Sequence, residues 1–293
     1  MEVRIVEPSG FCFGVKKALE IAKKARVENK DGKIYIVGSL VHNEDVVKGL
    51  EADGFIILDE CEKPLEQHLL SLNDGSIIVF SAHGHAPYLD KIALQKHMKI
   101  YDATCVFVKN NEQKTLSEID KGNEVIYIGI ANHAETIGVM GIEKEKIFLF
   151  QPNHPFDYSK VTSPSPLVIS QTTMSENEIS SSINDILEHI PNALIFAKQC
   201  FETEKRQSAA INDGKEADCF IVIGGKNSNN TKRLAMILEE AYPTKKCIAI
   251  LNEIELKSYL SSIKECKHIM LVSGASTSES TINECKNLIL NNN

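Results

Sequence analysis

Short apolar runs alternate along the chain with longer stretches whose apolar residues recur at helical spacing. KIYIVGS, EVIYIGI and CFIVIGG read as strands that end in glycine, at Gly38, Gly129 and Gly224. Residues 13–25 read as a helix, with Val15, Ala18, Leu19, Ile21 and Ala22 on one apolar face. Strands alternating with helices in this way predict α/β architecture with mostly parallel sheets.

The pattern occurs three times. Cys12, Cys105 and Cys200 lie 93 and 95 residues apart, each after a strand-like run (EVRIVEPSGFC, MKIYDATC, NALIFAKQC) and before a Lys/Glu-bearing helical stretch. The strand-ending glycines follow the cysteines by 26, 24 and 24 residues, and His42, His133 and Ser228 stand four residues beyond them. Short apolar runs come next (GFIILDE, KIFLFQP, KCIAILNE). Last strands then end in small polar groups (SIIVFSAHG, SPLVISQTT, HIMLVSGAST). The period is too long for a solenoid. It predicts three similar α/β units: residues 1–104 with Cys12, 105–199 with Cys105 and 200–293 with Cys200.

Open α/β sheets bind ligands beyond the carboxyl ends of their strands, where this repeat places one cysteine per unit. If the units face a common axis, three thiolates converge there, which points to a metal centre. Zinc fits three ligands with an open position. An iron–sulfur cluster, normally held by four thiolates, fits as well if one iron is left free. Cys12 opens a helix inside the turn GFCFG, where free N–H groups and a partial positive charge favour a thiolate. The other cysteines, at 61, 219, 247, 266 and 285, show no ligand spacing and read as structural.

The same edge carries His42 (VHN), His83 (SAHG), His133 (NHAE), Ser228, Asn229 and Asn230 (GGKNSNNT) and Ser276 (GAST). These donors suit anionic oxygens, and Gly-rich turns let backbone N–H groups come close, so a phosphate or diphosphate is the expected ligand. Glu135 is the one carboxylate inside these motifs; closed off from water it would hold a proton. Thr172 and Thr173 in SQTT offer hydroxyls that could relay one, and His85 reads as a turn residue.

Composition narrows the partners. With 43% hydrophobic and 25% charged residues, the chain has an ordinary globular balance. A net charge of −8 argues against nucleic acid as a partner. No apolar window is long enough for a membrane span, and the beginning MEVRIVEPSGFC has no export pattern. A cytoplasmic location is expected, with the eight cysteines as free thiols or metal ligands rather than disulfides.

GFCFGVKKAL, VHN, SAHG, DATC, HAE, QTT, the set Cys200–Thr203–Arg206–Gln207, GGKNS and GAST, in this order from residue 10 to 277, resemble the 4-hydroxy-3-methylbut-2-enyl diphosphate reductases. The resemblance implies a pseudo-threefold trefoil of α/β units around a central [4Fe–4S] cluster held by Cys12, Cys105 and Cys200. It implies that the substrate hydroxyl meets the free iron and that His42, His83, His133, Ser228, Asn230 and Ser276 hold the diphosphate. Glu135 would deliver protons with help from Thr172, and ferredoxin or flavodoxin would donate electrons. The chain departs from the family pattern at Val106, Ala134 and Ser278, where proline is common, at Asn229 in place of a second serine, and at Glu202 in place of a small residue. Three competing readings remain: an iron–sulfur paralogue that binds another phosphorylated ligand without this turnover, a zinc enzyme on the same cysteines, and a protein whose cysteines are merely buried.

Overall fold

The computed structural model of the chain describes residues 1–292. Strand β1 (Glu2–Ile5) leads through a loop to α1 (Phe13–Glu28). There follow β2 (Ile34–Val37), α2 (Glu44–Ala52), β3 (Phe55–Leu58), α3 (Leu65–Ser71), β4 (Ile77–Phe80), α4 (Pro87–Gln95) and β5 (Lys99–Asp102). The middle of the chain runs α5 (Val106–Asp120), β6 (Val125–Ile128), α6 (Ala134–Met140), β7 (Ile147–Phe150), β8 (Leu167–Ser170), α7 (Glu176–His189) and β9 (Leu194–Ile195). The last part runs α8 (Phe201–Asp213), β10 (Cys219–Ile223), α9 (Asn229–Ala241), β11 (Lys246–Ile250), α10 (Glu253–Leu256), α11 (Leu260–Ile263), β12 (His268–Ser273) and α12 (Glu279–Asn291).

Among the described residues these strands form three sheets of four, ordered β3-β2-β4-β5, β7-β6-β8-β9 and β11-β10-β12-β1. Every strand pair is parallel, as the alternation of strands and helices predicts. The three orders are one topology repeated, with the fourth strand on the edge. β1 departs from the residue 1–104 boundary. It pairs with β12, Glu2 opposite His268 and Ile5 opposite Leu271, and so completes the last sheet. The reason lies in the order of the chain. β5 and β9 follow the three strands they join, whereas among the described residues the edge beside β12 is filled by β1, which precedes its partners in the chain.

The chain divides into two compact units. The terminal unit comprises Met1–Lys16, Val41–Gly49 and the chain from Phe201 onward, and holds the β11-β10-β12-β1 sheet. The middle unit comprises Lys17–Leu40 and Leu50–Cys200, and holds the other two sheets. In the terminal unit, strand alternation sends Cys219, Ile221 and Ile223 to a core shared with Ile282, Cys285 and Ile289 of α12. Phe220 and Val222 go to the opposite face, against Leu234 and Leu238 of α9. A sheet covered on both faces requires near-continuous apolar strands, and β10 is buried at all five positions. In the middle unit, Ile78 and Phe80 pack with Leu69, Leu89 and Ala93, and Ile126, Ile128 and Val168 pack with Ile179 and Ile186 of α7. No helix of the described residues is long and apolar enough to cross a membrane.

Ile221 is fully buried in the central strand of the terminal sheet. Ile221→Ala is expected to cost about 2–5 kcal/mol, read as a lower midpoint in chemical denaturation at unchanged slope.

Candidate functional site

Each of the three periodic cysteines immediately precedes a helix: Cys12 before α1, Cys105 before α5 and Cys200 before α8. Each is held in the same way. The backbone N–H of Cys12 donates to the Ala275 carbonyl (3.0 Å), that of Cys105 to Ala82 (3.0 Å) and that of Cys200 to Thr172 (3.1 Å). All three acceptors lie two residues past the end of β12, β4 or β8. The carbonyls of Cys12 and Cys105 accept helical bonds from the Lys16 and Lys109 amides. The Val15 N–H lies 3.5 Å from the Cys12 sulfur. All three cysteines are half-buried, and among the described residues none is in a disulfide. Burial pushes the Cys219 and Cys285 thiols up to about 12 and Cys247 up to about 11, which suits packing and not ligation. A donor set of three partly accessible thiols at helix starts fits a thiolate-held metal group. Cys12 belongs to the terminal unit, Cys105 and Cys200 to the middle one. Among the described residues no three His, Cys, Asp or Glu side chains are gathered at metal-binding distance.

The terminal unit brings together His42, Ser228, Asn230 and Ser276. A Cβ on Gly225 would collide with the His42 carbonyl and come within 2.9 Å of the Asn43 Cα, so glycine is what lets the VHN segment lie on the GGKNS turn. The Ser276 hydroxyl donates to the His42 carbonyl (3.1 Å). The Ser228 hydroxyl caps α9 by accepting the Thr231 N–H. Asn230 accepts from the Ala275 amide (3.2 Å) and donates to the Thr203 hydroxyl (3.3 Å). Ala275 is thus tied to Asn230 through its N–H and to Cys12 through its carbonyl. Asn229 opens α9. Burial, with Lys232 nearby, holds the His42 pKa below its usual value against the pull of Glu44. A neutral imidazole results near pH 7.

The middle unit brings together Glu135, Thr172, His133 and His83. Glu135 is 2% exposed. Its carboxyl accepts the Thr172 N–H (3.0 Å to one oxygen, 3.2 Å to the other) and the Thr172 hydroxyl (2.9 Å). Burial nevertheless pushes its pKa up to about 7, with Glu112 adding to the rise and Thr172 opposing it. His133 caps α6, its Nδ1 accepting the Glu135 N–H at 3.2 Å. That bond leaves the proton of the neutral ring on Nε2. His83 meets the His133 ring edge-on at 5.9 Å. His85 stacks on Phe80 at 3.5 Å and bonds Asp90 at 3.0 Å, in keeping with a structural turn residue.

Three groups in the middle unit escaped the sequence reading. Gln171, fully buried, accepts the Ile130 N–H and donates to the Thr173 hydroxyl; QTT named its neighbours but not its role. Tyr127 is buried within β6 and senses the charge of both Glu135 and Glu112. Glu112 on α5 lies against Gly84, with Oε1 buried and without a hydrogen-bond partner, and burial pushes its pKa up to about 7. On a Lys/Glu-bearing helix it looked solvated. The departures from the family pattern fall at helix starts. Val106 and Ala134 are first residues of α5 and α6, and Ser278 caps α12 through the Thr281 N–H. Glu202 lies in the first turn of α8 and helps keep Arg206 protonated.

Comparison with known proteins agrees across the length of the chain. Residues 3–290 match the family described as LytB protein. The 4-hydroxy-3-methylbut-2-enyl diphosphate reductase of Geobacillus kaustophilus (strain HTA426) is 34% identical over 279 residues, 94% of this chain and 86% of the relative. The enzyme of that name from Bacillus subtilis (strain 168) is 33% identical, over 94% of this chain and 87% of its own. Among solved structures, the E-1-hydroxy-2-methyl-but-2-enyl-4-diphosphate reductase from Plasmodium falciparum superposes with a TM-score of 0.86 at 26% identity, covering 98% of this chain and 87% of its own. A second, the (E)-4-hydroxy-3-methyl-but-2-enyl diphosphate reductase described as the terminal enzyme of the non-mevalonate pathway, superposes with a TM-score of 0.69 at 27% identity over 99% of this chain and all of its own.

Hydrogen bonds to a carboxylate favour its charged form, so Thr172→Ala removes a donor that holds the Glu135 pKa down. The Glu135 midpoint is expected to rise above about 7, followed as the carboxyl infrared band of the apoprotein across pH. A fall would contradict this geometry.

Proposed function

The chain belongs to the LytB protein family, and from that premise we propose that it reduces 4-hydroxy-3-methylbut-2-enyl diphosphate to isopentenyl and dimethylallyl diphosphate. The observation that carries this reading is the buried Glu135 carboxyl, clamped by Thr172 and holding a proton up to about pH 7, on a chain with three equivalently pinned cysteines. Cys12, Cys105 and Cys200 would hold a [4Fe–4S] cluster. When bound, the cluster would supply two electrons and, at its free iron, a Lewis acid for the hydroxyl oxygen.

The chain's own residues do the rest. His42, Ser228, Asn229, Asn230 and Ser276 offer neutral donors to the diphosphate, and His83 and His133 add imidazole donors. Anchoring the diphosphate fixes the reacting carbon and removes much of the entropy cost of the reaction. His133 presents Nε2–H because Nδ1 is engaged by the Glu135 amide. An allylic hydroxide is a poor leaving group. A proton from Glu135 lets it depart as water, and the Thr172 hydroxyl holds the carboxylate that remains. The second proton ends on carbon. Ferredoxin or flavodoxin is the proposed electron donor, and the cytoplasm the proposed location.

The test is substrate-dependent oxidation of a reduced viologen dye by anaerobically purified, cluster-loaded protein. Turnover of the hydroxylated diphosphate is expected. A loaded protein that retains iron and sulfide without turnover would favour the iron–sulfur paralogue, and zinc without sulfide would end the cluster reading. Glu135→Gln is expected to lower turnover by about 10²–10⁴-fold at unchanged iron content; near-normal turnover would remove Glu135 from the reaction. Glu135 is competent as an acid while protonated. The rate is therefore expected to hold below about pH 7 and to fall as pH rises through it, in a pH–rate profile of the wild type.

A further inference from the structure

The terminal unit buries a full positive charge beside Cys12. Arg206 on α8 is 2% exposed. Its Nη1 donates to the Pro8 carbonyl at 3.0 Å and its Nη2 to the Gly10 carbonyl at 2.8 Å. Nη1 also lies 3.4 Å from both the carbonyl and the hydroxyl of Ser273. Nε is buried without a partner. Among the described residues no carboxylate forms an ion pair with it; each of its acceptors is a neutral oxygen. A buried charge is costly unless paired. The negative charges that it senses are those of Cys12 first, then Glu202 and Glu7.

The loop it grips is the one that presents Cys12. The Ser9 N–H bonds the Glu7 carboxylate (2.7 Å), the Gly10 N–H bonds the Ser273 hydroxyl (3.2 Å) and the Cys12 N–H bonds the Ala275 carbonyl (3.0 Å). Gly10 turns at φ +72°, and a Cβ there would strike the Glu279 side chain. The Gly10 and Cys12 amides are fastened from β12 and its following turn, and the carbonyls of Pro8 and Gly10 from Arg206. A planar guanidinium can bond two carbonyls at once, which a lysine ammonium on a flexible stem does poorly.

We propose that Arg206 is a positioning residue for the Cys12 metal ligand: its fork fixes the loop that presents the sulfur, and its buried charge is the counter-charge of that thiolate and of the group it holds. This rests on Cys12 being a cluster ligand. A nearby cation stabilises the more negative, reduced form of a cluster, so the charge raises the midpoint potential. The fork slows escape of the metal.

The experiment compares the wild type, Arg206→Met and Arg206→Lys as anaerobically loaded proteins. Two readouts are taken: midpoint potential by dye-mediated titration followed by electron paramagnetic resonance, and iron release to a chelator. Arg206→Met is expected to shift the midpoint negative and to release iron at least about tenfold faster. Arg206→Lys is expected to restore the midpoint while still releasing iron faster, because it keeps the charge and loses the fork. A wild-type midpoint in Arg206→Met would overturn the charge role. Wild-type iron release in Arg206→Lys would overturn the clamp. Should Arg206→Met fail to fold, the lysine variant decides alone, a midpoint well below wild type overturning the proposal. A wild type that takes up no iron and sulfide would sink the cluster reading itself, whereas a loaded wild type with indistinguishable variants sinks only the role of Arg206.

Discussion

The fold depends on how an edge strand ends. In each sheet the fourth strand runs parallel beside the third, and beyond its last residue a cysteine amide meets the carbonyl two residues past the end of the neighbouring strand. The bond from Cys12 to Ala275, from Cys105 to Ala82 and from Cys200 to Thr172 fixes where a helix begins. It also fixes where a sulfur stands relative to the polar turn that closes the third strand. Those turns are SAHG, QTT and GAST, which carry His83, Thr172 and Ser276. In the terminal unit Ala275 serves both sides: its carbonyl holds Cys12 and its amide is held by Asn230.

This constraint explains what could be read from the sequence and what could not. The cysteine period, the glycine-ended strands and the polar turns are local features, and the structure realises them as three sheets of one topology. The partner of β1 was not legible. In two of the three repeats the edge strand and its cysteine follow the other strands of their sheet, whereas β1 and Cys12 join a sheet built from residues 219–273. The polarity of β1, with Glu2 and Arg4 among its four residues, marks an edge strand but not which edge. Glu112 was hidden for another reason. A glutamate on a charged helix is read as solvated, and only the missing side chain at Gly84 reveals the space it enters. Arg206 stood inside a quoted motif, yet its burial against the Pro8 and Gly10 carbonyls joins positions 196 and more residues apart.

The departures at helix starts show how little the scaffold depends on proline there. Proline at the first helical position pre-sets φ where the N–H would go unpaired anyway. At α6 the His133 ring accepts the Glu135 N–H, and at α12 the Ser278 hydroxyl accepts the Thr281 N–H. A cap satisfies a donor that proline at the first position leaves untouched, so these two helices retain a defined start. For His133 the cap has a chemical consequence as well, since it sets which ring nitrogen carries the proton.

The two compact units carry opposite electrostatic tasks. The middle unit buries carboxyls. Glu135 and Glu112 each lose water, and Glu112 makes ionisation of Glu135 less favourable still, so both retain protons to about pH 7. The hydroxyl and amide of Thr172 keep Glu135 from rising further, which leaves it able to give up a proton near neutrality rather than hold it outright. The terminal unit gathers positive or neutral donors instead: Arg206 behind the Cys12 loop, Lys232 near His42, and the capping Ser228. Donors of the second kind suit an anion, and a buried carboxyl of the first kind retains its proton to near neutrality. A chain of net charge −8 can bind a diphosphate only if its acidic groups are kept protonated or turned away where the ligand sits. Burial that keeps the Glu135 carboxyl protonated to about pH 7 meets this need at one position.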